Sequence, residues 1–168
     1  MTANVVLVGM PGAGKSTIGH LLAGELERKF IDTDQLIEMT AGKSLQQIVD
    51  EHGAAGLRQI EEQVILNLDC QGAIIATGGS AIYSEAGMAH LARNGLIVYL
   101  KTGLAELTRR IGNLATRGLL REPGQTLEDL FRERVPLYER YADITVSCEG
   151  EPTAIAEAVI RAVRNSSS

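Results

Sequence analysis

One octapeptide limits what this chain can fold into: Gly9-Met10-Pro11-Gly12-Ala13-Gly14-Lys15-Ser16, which fits G-x-x-x-x-G-K-[ST]. It follows the apolar run Val5-Val6-Leu7-Val8, read as a strand buried on both faces, and precedes Ile18, Leu21, Leu22 and Leu26 at helical spacing. In that strand–loop–helix setting the glycines let backbone N–H groups converge on a β-phosphate at a helix N-terminus. Lys15 is placed to neutralise β/γ oxygens and the Ser16 hydroxyl to ligate Mg²⁺, so Gly12, Ala13, Gly14, Lys15, Ser16 and Thr17 are candidate nucleotide contacts. The bland alternative is a glycine-rich turn with a chance lysine, and motif and context agree against it.

The rest of the chain repeats the alternation. Phe30-Ile31-Asp32, Ala73 to Thr77, Leu96 to Leu100 and Ile144 to Ser147 read as strands. Helices are expected at Gln35–Thr40, Leu45–His52 (opened by the capping box Ser44-Leu45-Gln46-Gln47), Leu57–Leu68, Ser84–Arg93, Thr102–Ile111, Thr126–Arg140 and from Pro152 onward. Strands alternating with helices predict an α/β fold, a parallel sheet covered on both faces. The pattern breaks at 112–125, where glycines at both ends and arginines within suggest a mobile lid over an anionic ligand. Residues 165–168 read as a frayed tail.

At 168 residues, with 45% hydrophobic and 22% charged residues, residues 1–168 are expected to form a single domain rather than a disordered or fibrous chain. No apolar run reaches the roughly 18 residues that span a bilayer, and Met1-Thr2-Ala3-Asn4 lacks the charged start of a secretory signal, which predicts a cytoplasmic protein. Cys70 and Cys148 are too few for a disulfide framework and are expected as buried free thiols. His20, His52 and His90 share no metal-ligating spacing. A net charge of −5 and 4% aromatic residues argue against nucleic-acid and membrane partners. Within that acidic chain, seven arginines fall between Arg109 and Arg140, and arginine forks suit phosphates and carboxylates.

A phosphate loop alone fits a switch GTPase, a motor ATPase or a small-molecule kinase. The chain has no N-K-x-D guanine-reading segment, and strands 73–77 and 96–100 end in Thr77-Gly78 and Lys101 rather than in adjacent acids. A small-molecule kinase survives. For its acceptor, Asp32-Thr33-Asp34 follows the second strand, and strand alternation would put both carboxylates on one face; the alternative is a helix N-cap. Arg58 sits in an otherwise apolar and acidic segment, where the alternative is an i, i+3 pair with Glu61. Thr77-Gly78-Gly79-Ser80 would let a ligand approach backbone N–H groups, or is a plain turn.

Taken together, Gly9 to Ser16, Asp32-x-Asp34, Arg58 with Glu61, Thr77-Gly78-Gly79, Arg117 and Arg134-Val135-Pro136-Leu137-Tyr138 resemble the shikimate kinase family over nearly the whole chain. The resemblance implies a P-loop NTPase fold of the nucleoside-monophosphate-kinase kind, a three-layer sandwich with a five-stranded parallel sheet, a lid, and an acceptor-binding helical segment at 33–61. It implies transfer of the ATP γ-phosphoryl group to the 3-hydroxyl of shikimate, in chorismate and aromatic amino-acid biosynthesis. By the same resemblance Lys15 and Ser16 serve the nucleotide and Asp32 holds Mg²⁺ through water. Asp34 orients or deprotonates the acceptor hydroxyl; Arg58, Arg134 and the Gly79 N–H hold the acceptor carboxylate; Arg117 closes on the transferring phosphate; Arg110 lies against adenine. A monomer is expected.

The chain departs from the family pattern at four places. Ser80 stands for a third glycine, Gly118 for the proline after the lid arginine, and Val49 and Leu57 stand where phenylalanines often wall the acceptor. Smaller walls leave room for another hydroxy acid, such as homoserine, as acceptor. A third reading is a nucleotide-binding regulatory module without catalysis, against which the retained acceptor residues argue.

Overall fold

The computed structural model describes residues 2–112 and 124–166. Most of the segment read as a lid, including Arg117 and Gly118, lies outside the described residues. Five strands, β1 (Asn4–Val8), β2 (Phe30–Asp32), β3 (Ile74–Ala76), β4 (Gly95–Lys101) and β5 (Ile144–Ser147), form one parallel sheet in the order β2-β3-β1-β4-β5. The register pairs Val6 with Ile75 on one side and with Ile97 on the other. Central β1 is buried at every position, as a strand sandwiched between two helical layers must be.

Seven α-helices are present among the described residues: α1 (Lys15–Leu26), α2 (Thr33–Ala41), α3 (Leu45–Leu66), α4 (Glu85–Arg93), α5 (Leu104–Gly112), α6 (Leu127–Tyr141) and α7 (Pro152–Ser166). Alternation along the strands divides the core. Val5, Leu7, Ile74, Val98 and Leu100 face α1 and α7, meeting Ile18, Leu22, Ile155 and Val159. Val6, Val8, Ile75, Ile97 and Tyr99 face the other way, onto Ile65, Met88, Leu91, Leu107 and Leu130. The result is the three-layer P-loop NTPase architecture. A third, smaller cluster, Ile37, Ile48 and Leu57, joins α2 to α3 away from the sheet.

The two helices expected at Leu45–His52 and Leu57–Leu68 are both present within α3, parted where Gly53 adopts the non-helical φ 72°, ψ 177°, with the second starting ahead of Leu57. Two other expectations are corrected. The tail is not frayed at Asn165 and Ser166: α7 continues through Ser166, whose Oγ donates to Ala162 O at 3.1 Å. Of the two free thiols only Cys148 is buried, and Cys70 is half-buried. The capping boxes at Ser44 and Thr126 form, fixing where α3 and α6 begin. No helix among the described residues is long and apolar enough to cross a membrane.

Candidate active site

The carboxyl ends of β1, β2 and β3 open onto a cavity of about 550 Å³. At its nucleotide end, β1 runs into the glycine loop and then into α1. Gly14, the N-cap of α1, has φ 90°, a conformation an L side chain resists, and offers no side-chain cap. The N–H groups of the first turn are thus left to an incoming anion. Lys15 Nζ donates to Gly9 O at 2.7 Å and Met10 O at 2.9 Å. Burial lowers its pKa to about 8, opposed by the carboxylates of Asp34, Asp32 and Glu61 and reinforced by Arg134.

Asp32 ends β2 and begins α2. Its Oδ1 accepts from the backbone N–H of Asp34 (2.9 Å) and Gln35 (3.4 Å), and its Oδ2 accepts from Ser16 Oγ at 2.9 Å. The expectation that Asp32 and Asp34 share one strand face is therefore overturned: the strand stops at Asp32, because a carboxylate able to cap a helix ends the extended run there. Asp34 reaches the cavity from the first turn of α2, and burial, then the neighbouring Asp32, pushes its pKa up while Lys15 pulls it down.

At the far end, Glu61 of α3 is buried at 3% exposure and accepts from Ser80 Oγ at 2.8 Å rather than serving as the helical partner of Arg58. Burial raises its pKa to about 7. The turn after β3 has no room for side chains. A Cβ at Gly78 would lie 2.5 Å from Glu61 Oε2 and 2.7 Å from Asp34 Oδ1; one at Gly79 would lie 2.7 Å from Arg134 Nη1. Tyr138 donates to Gly79 O at 2.6 Å and holds that turn against α6. Arg134, only 2% exposed, lines the cavity.

Nine of the sequence-derived candidates, Gly12, Gly14, Lys15, Ser16, Thr17, Asp32, Asp34, Gly79 and Arg134, line this one cavity. Ala13 packs into the core and its N–H donates to Met10 O at 3.0 Å. Arg58 is not in the lining; its guanidinium lies over the Tyr83 ring, the same ring that the Arg134 guanidinium approaches. Arg110 flanks the phosphate loop, donating through Nη1 to Gly12 O at 3.0 Å and through Nε to Glu106 at 2.8 Å. The guanidinium of Arg109, donating to Glu106 at 2.7 and 3.0 Å, and then that of Arg110 hold the half-buried Glu106 carboxyl down at about 2. Sequence reasoning missed Leu45, which lines the cavity with Leu57, and Tyr83, which sits in an unforeseen 3₁₀ turn (Ala81–Tyr83). No local spacing signals that turn.

The described arrangement presents cationic and backbone donors at one end of a cavity, a buried arginine at the other, and carboxylates between them. That is the layout for moving a phosphoryl group onto a hydroxyl of an anionic acceptor. The profile of the Shikimate kinase family matches residues 11–164. A curated shikimate kinase of Chromohalobacter salexigens is 42% identical over 161 residues, covering 94% of this chain and 89% of that protein. Among solved structures, the Acinetobacter baumannii shikimate kinase in complex with shikimate superposes with a TM-score of 0.91 at 32% identity, covering 99% of this chain and 95% of that one. The Aquifex aeolicus shikimate kinase gives a TM-score of 0.83 at 26% identity, with 98% of each chain covered.

Proposed function

The chain belongs to the shikimate kinase family, and on that premise we propose that it transfers the γ-phosphoryl group of ATP to the 3-hydroxyl of shikimate. One observation carries the reading to particular residues: Lys15, Asp34 and Arg134 face the same cavity from three different elements. Lys15, drawn from its loop carbonyls by phosphate oxygens, neutralises charge that spreads over them in the transition state. Asp34 stands between phosphate loop and acceptor. Its raised pKa makes it a better base toward the acceptor hydroxyl. As the hydroxyl oxygen bonds to the γ-phosphorus, the bond from that phosphorus to the bridging oxygen breaks, ADP leaves, and the hydroxyl proton passes to Asp34.

The acceptor carboxylate is assigned to Arg134, Arg58 and the Gly79 N–H, since paired guanidinium donors bind carboxylates with fixed geometry. Ser16 Oγ and Asp32 Oδ2, 2.9 Å apart, are hard oxygen donors at the foot of the phosphate loop, the chemistry Mg²⁺ selects. Mg²⁺ held there would shield the β and γ oxygens of the nucleotide. Arg110 is assigned to the adenine side on its position beside Gly12. Arg117, outside the described residues, is assigned to the transferring phosphate on family resemblance alone. The reading includes a monomer acting in the cytoplasm, where ATP is supplied.

The test is ATP consumption by the purified chain with MgCl₂, with and without shikimate. Shikimate-dependent ADP release is the expected result. Turnover of homoserine but not shikimate would move the assignment to another hydroxy acid, and turnover of neither would favour a regulatory nucleotide-binding module.

A further inference from the structure

Three elements deliver side chains to one point beside the cavity: Arg58 from α3, Arg134 from α6 and Tyr83 from the 3₁₀ turn after β3. The Arg58 guanidinium carbon lies 4.0 Å from the Tyr83 ring centroid and that of Arg134 lies 5.4 Å from it. Both are within the roughly 6 Å at which an aromatic face attracts a cation. Arg134 Nε donates to the Tyr83 oxygen at 3.3 Å, and the Tyr83 hydroxyl donates to Glu133, the neighbour of Arg134 on α6. The ring is thus tethered to the helix that carries one arginine while the other rests on its face.

We propose that Tyr83 is a positioning residue for acceptor recognition, holding Arg58 and Arg134 over one ring so that both guanidinium groups meet the same acceptor carboxylate. The inference rests on the assignment of these arginines to that carboxylate. Two guanidinium groups brought together repel, and Arg58 is a long, half-buried side chain with many rotamers to lose. Without an anion between them they would separate. The electron-rich face of the phenol offsets the repulsion before substrate arrives, so less of the binding free energy is spent on ordering the pair. The tyrosine does not touch the reacting atoms; it acts through the arginines.

Steady-state kinetics on the full chain tests this with Tyr83→Phe, Tyr83→Leu, Tyr83→Met, Arg58→Ala and the double variant Tyr83→Leu/Arg58→Ala. Removing the ring, in the Leu or the Met form, should raise the shikimate KM about tenfold and leave kcat and the ATP KM within about twofold. Tyr83→Phe keeps the ring and should stay within about threefold of the parent. In the double variant the shikimate KM should exceed that of Arg58→Ala by no more than about threefold, since the ring has no Arg58 left to hold. The proposal is overturned if Phe loses as much as Leu and Met, if the ring-less variants weaken ATP and shikimate alike, or if the two losses multiply. If Arg58→Ala raises the shikimate KM while the ring-less variants leave it unchanged, the role of Tyr83 falls and the carboxylate assignment stands. An Arg58→Ala enzyme with unchanged shikimate KM removes both.

Discussion

Ser80 and Glu61 are joined by a buried hydrogen bond of 2.8 Å that ties the turn after β3 to the middle of α3. The carboxyl it holds titrates at about 7, raised by burial from an ordinary value of 4.5. Between those values the folded chain binds more protons than the unfolded chain. Stability contributed by this group is therefore full below about pH 4.5 and lost as pH rises toward 7, a decline on the order of 2 kcal/mol. Urea unfolding of parent and Glu61→Gln at pH 5 and pH 7.5 measures it. The glutamine can still accept from Ser80, and its stability should lack this decline; equal pH slopes in the two proteins would contradict it.

Lys15 gives a pH dependence in activity rather than in stability. Its ammonium titrates at about 8 in the free protein, so kcat/KM for ATP should fall as pH rises above 8. Bound phosphates favour the charged form, so kcat should hold to higher pH. Lys15→Ala should lose roughly two to four decades of kcat, since its charge acts mainly in the transition state. A kcat/KM profile that is flat from pH 7 to 9.5 would count against the assignment.

Asp32 has two duties that one substitution can separate. Its Oδ1 caps α2 and its Oδ2 bonds to Ser16. Asp32→Asn preserves the cap and should leave thermal stability nearly unchanged while raising the Mg²⁺ concentration for half-maximal activity about tenfold. Asp32→Ala should show the same Mg²⁺ shift plus a loss of about 1 kcal/mol in stability. Thermal melts beside Mg²⁺ titrations read both effects.

Gly78→Ala tests whether Asp34 must stay where it is. The new methyl would press on Glu61 Oε2 at 2.5 Å and Asp34 Oδ1 at 2.7 Å, both ends of side chains that can swing aside. The fold should survive. With Asp34 displaced, kcat should drop roughly a hundredfold, within the range of lost general-base catalysis, while ATP affinity changes little. Isothermal titration with ATP and a rate assay separate the two.

The strands and most helices were legible because burial and capping leave local traces: the unbroken apolar run Val5 to Val8 and the capping box at Ser44 both became structure. The phosphate loop was legible because its glycines, lysine and serine are contiguous. Asp32 was misplaced because strand alternation and helix capping compete at that residue, and the capping bonds to Asp34 and Gln35 prevailed. The two helical segments on either side of Gly53 were legible as separate, since that glycine, at φ 72° and ψ 177°, lies outside the helical region. Tyr83 was invisible for another reason. Its partners Arg58 and Arg134 lie 25 and 51 residues away, and no local spacing encodes a meeting fixed by three separate elements.

The small cluster of Ile37, Ile48 and Leu57 touches neither of the two cores that hold the sheet. Leu57 nevertheless belongs to the cavity wall. Exchanges at Leu57, backed by Ile37 and Ile48, thus alter one wall of the cavity while the packing around β1 is carried by a different cluster. Volume-conserving exchanges at 37, 48 and 57 would change the wall at Leu57 on a separate foundation from the packing that holds the phosphate loop.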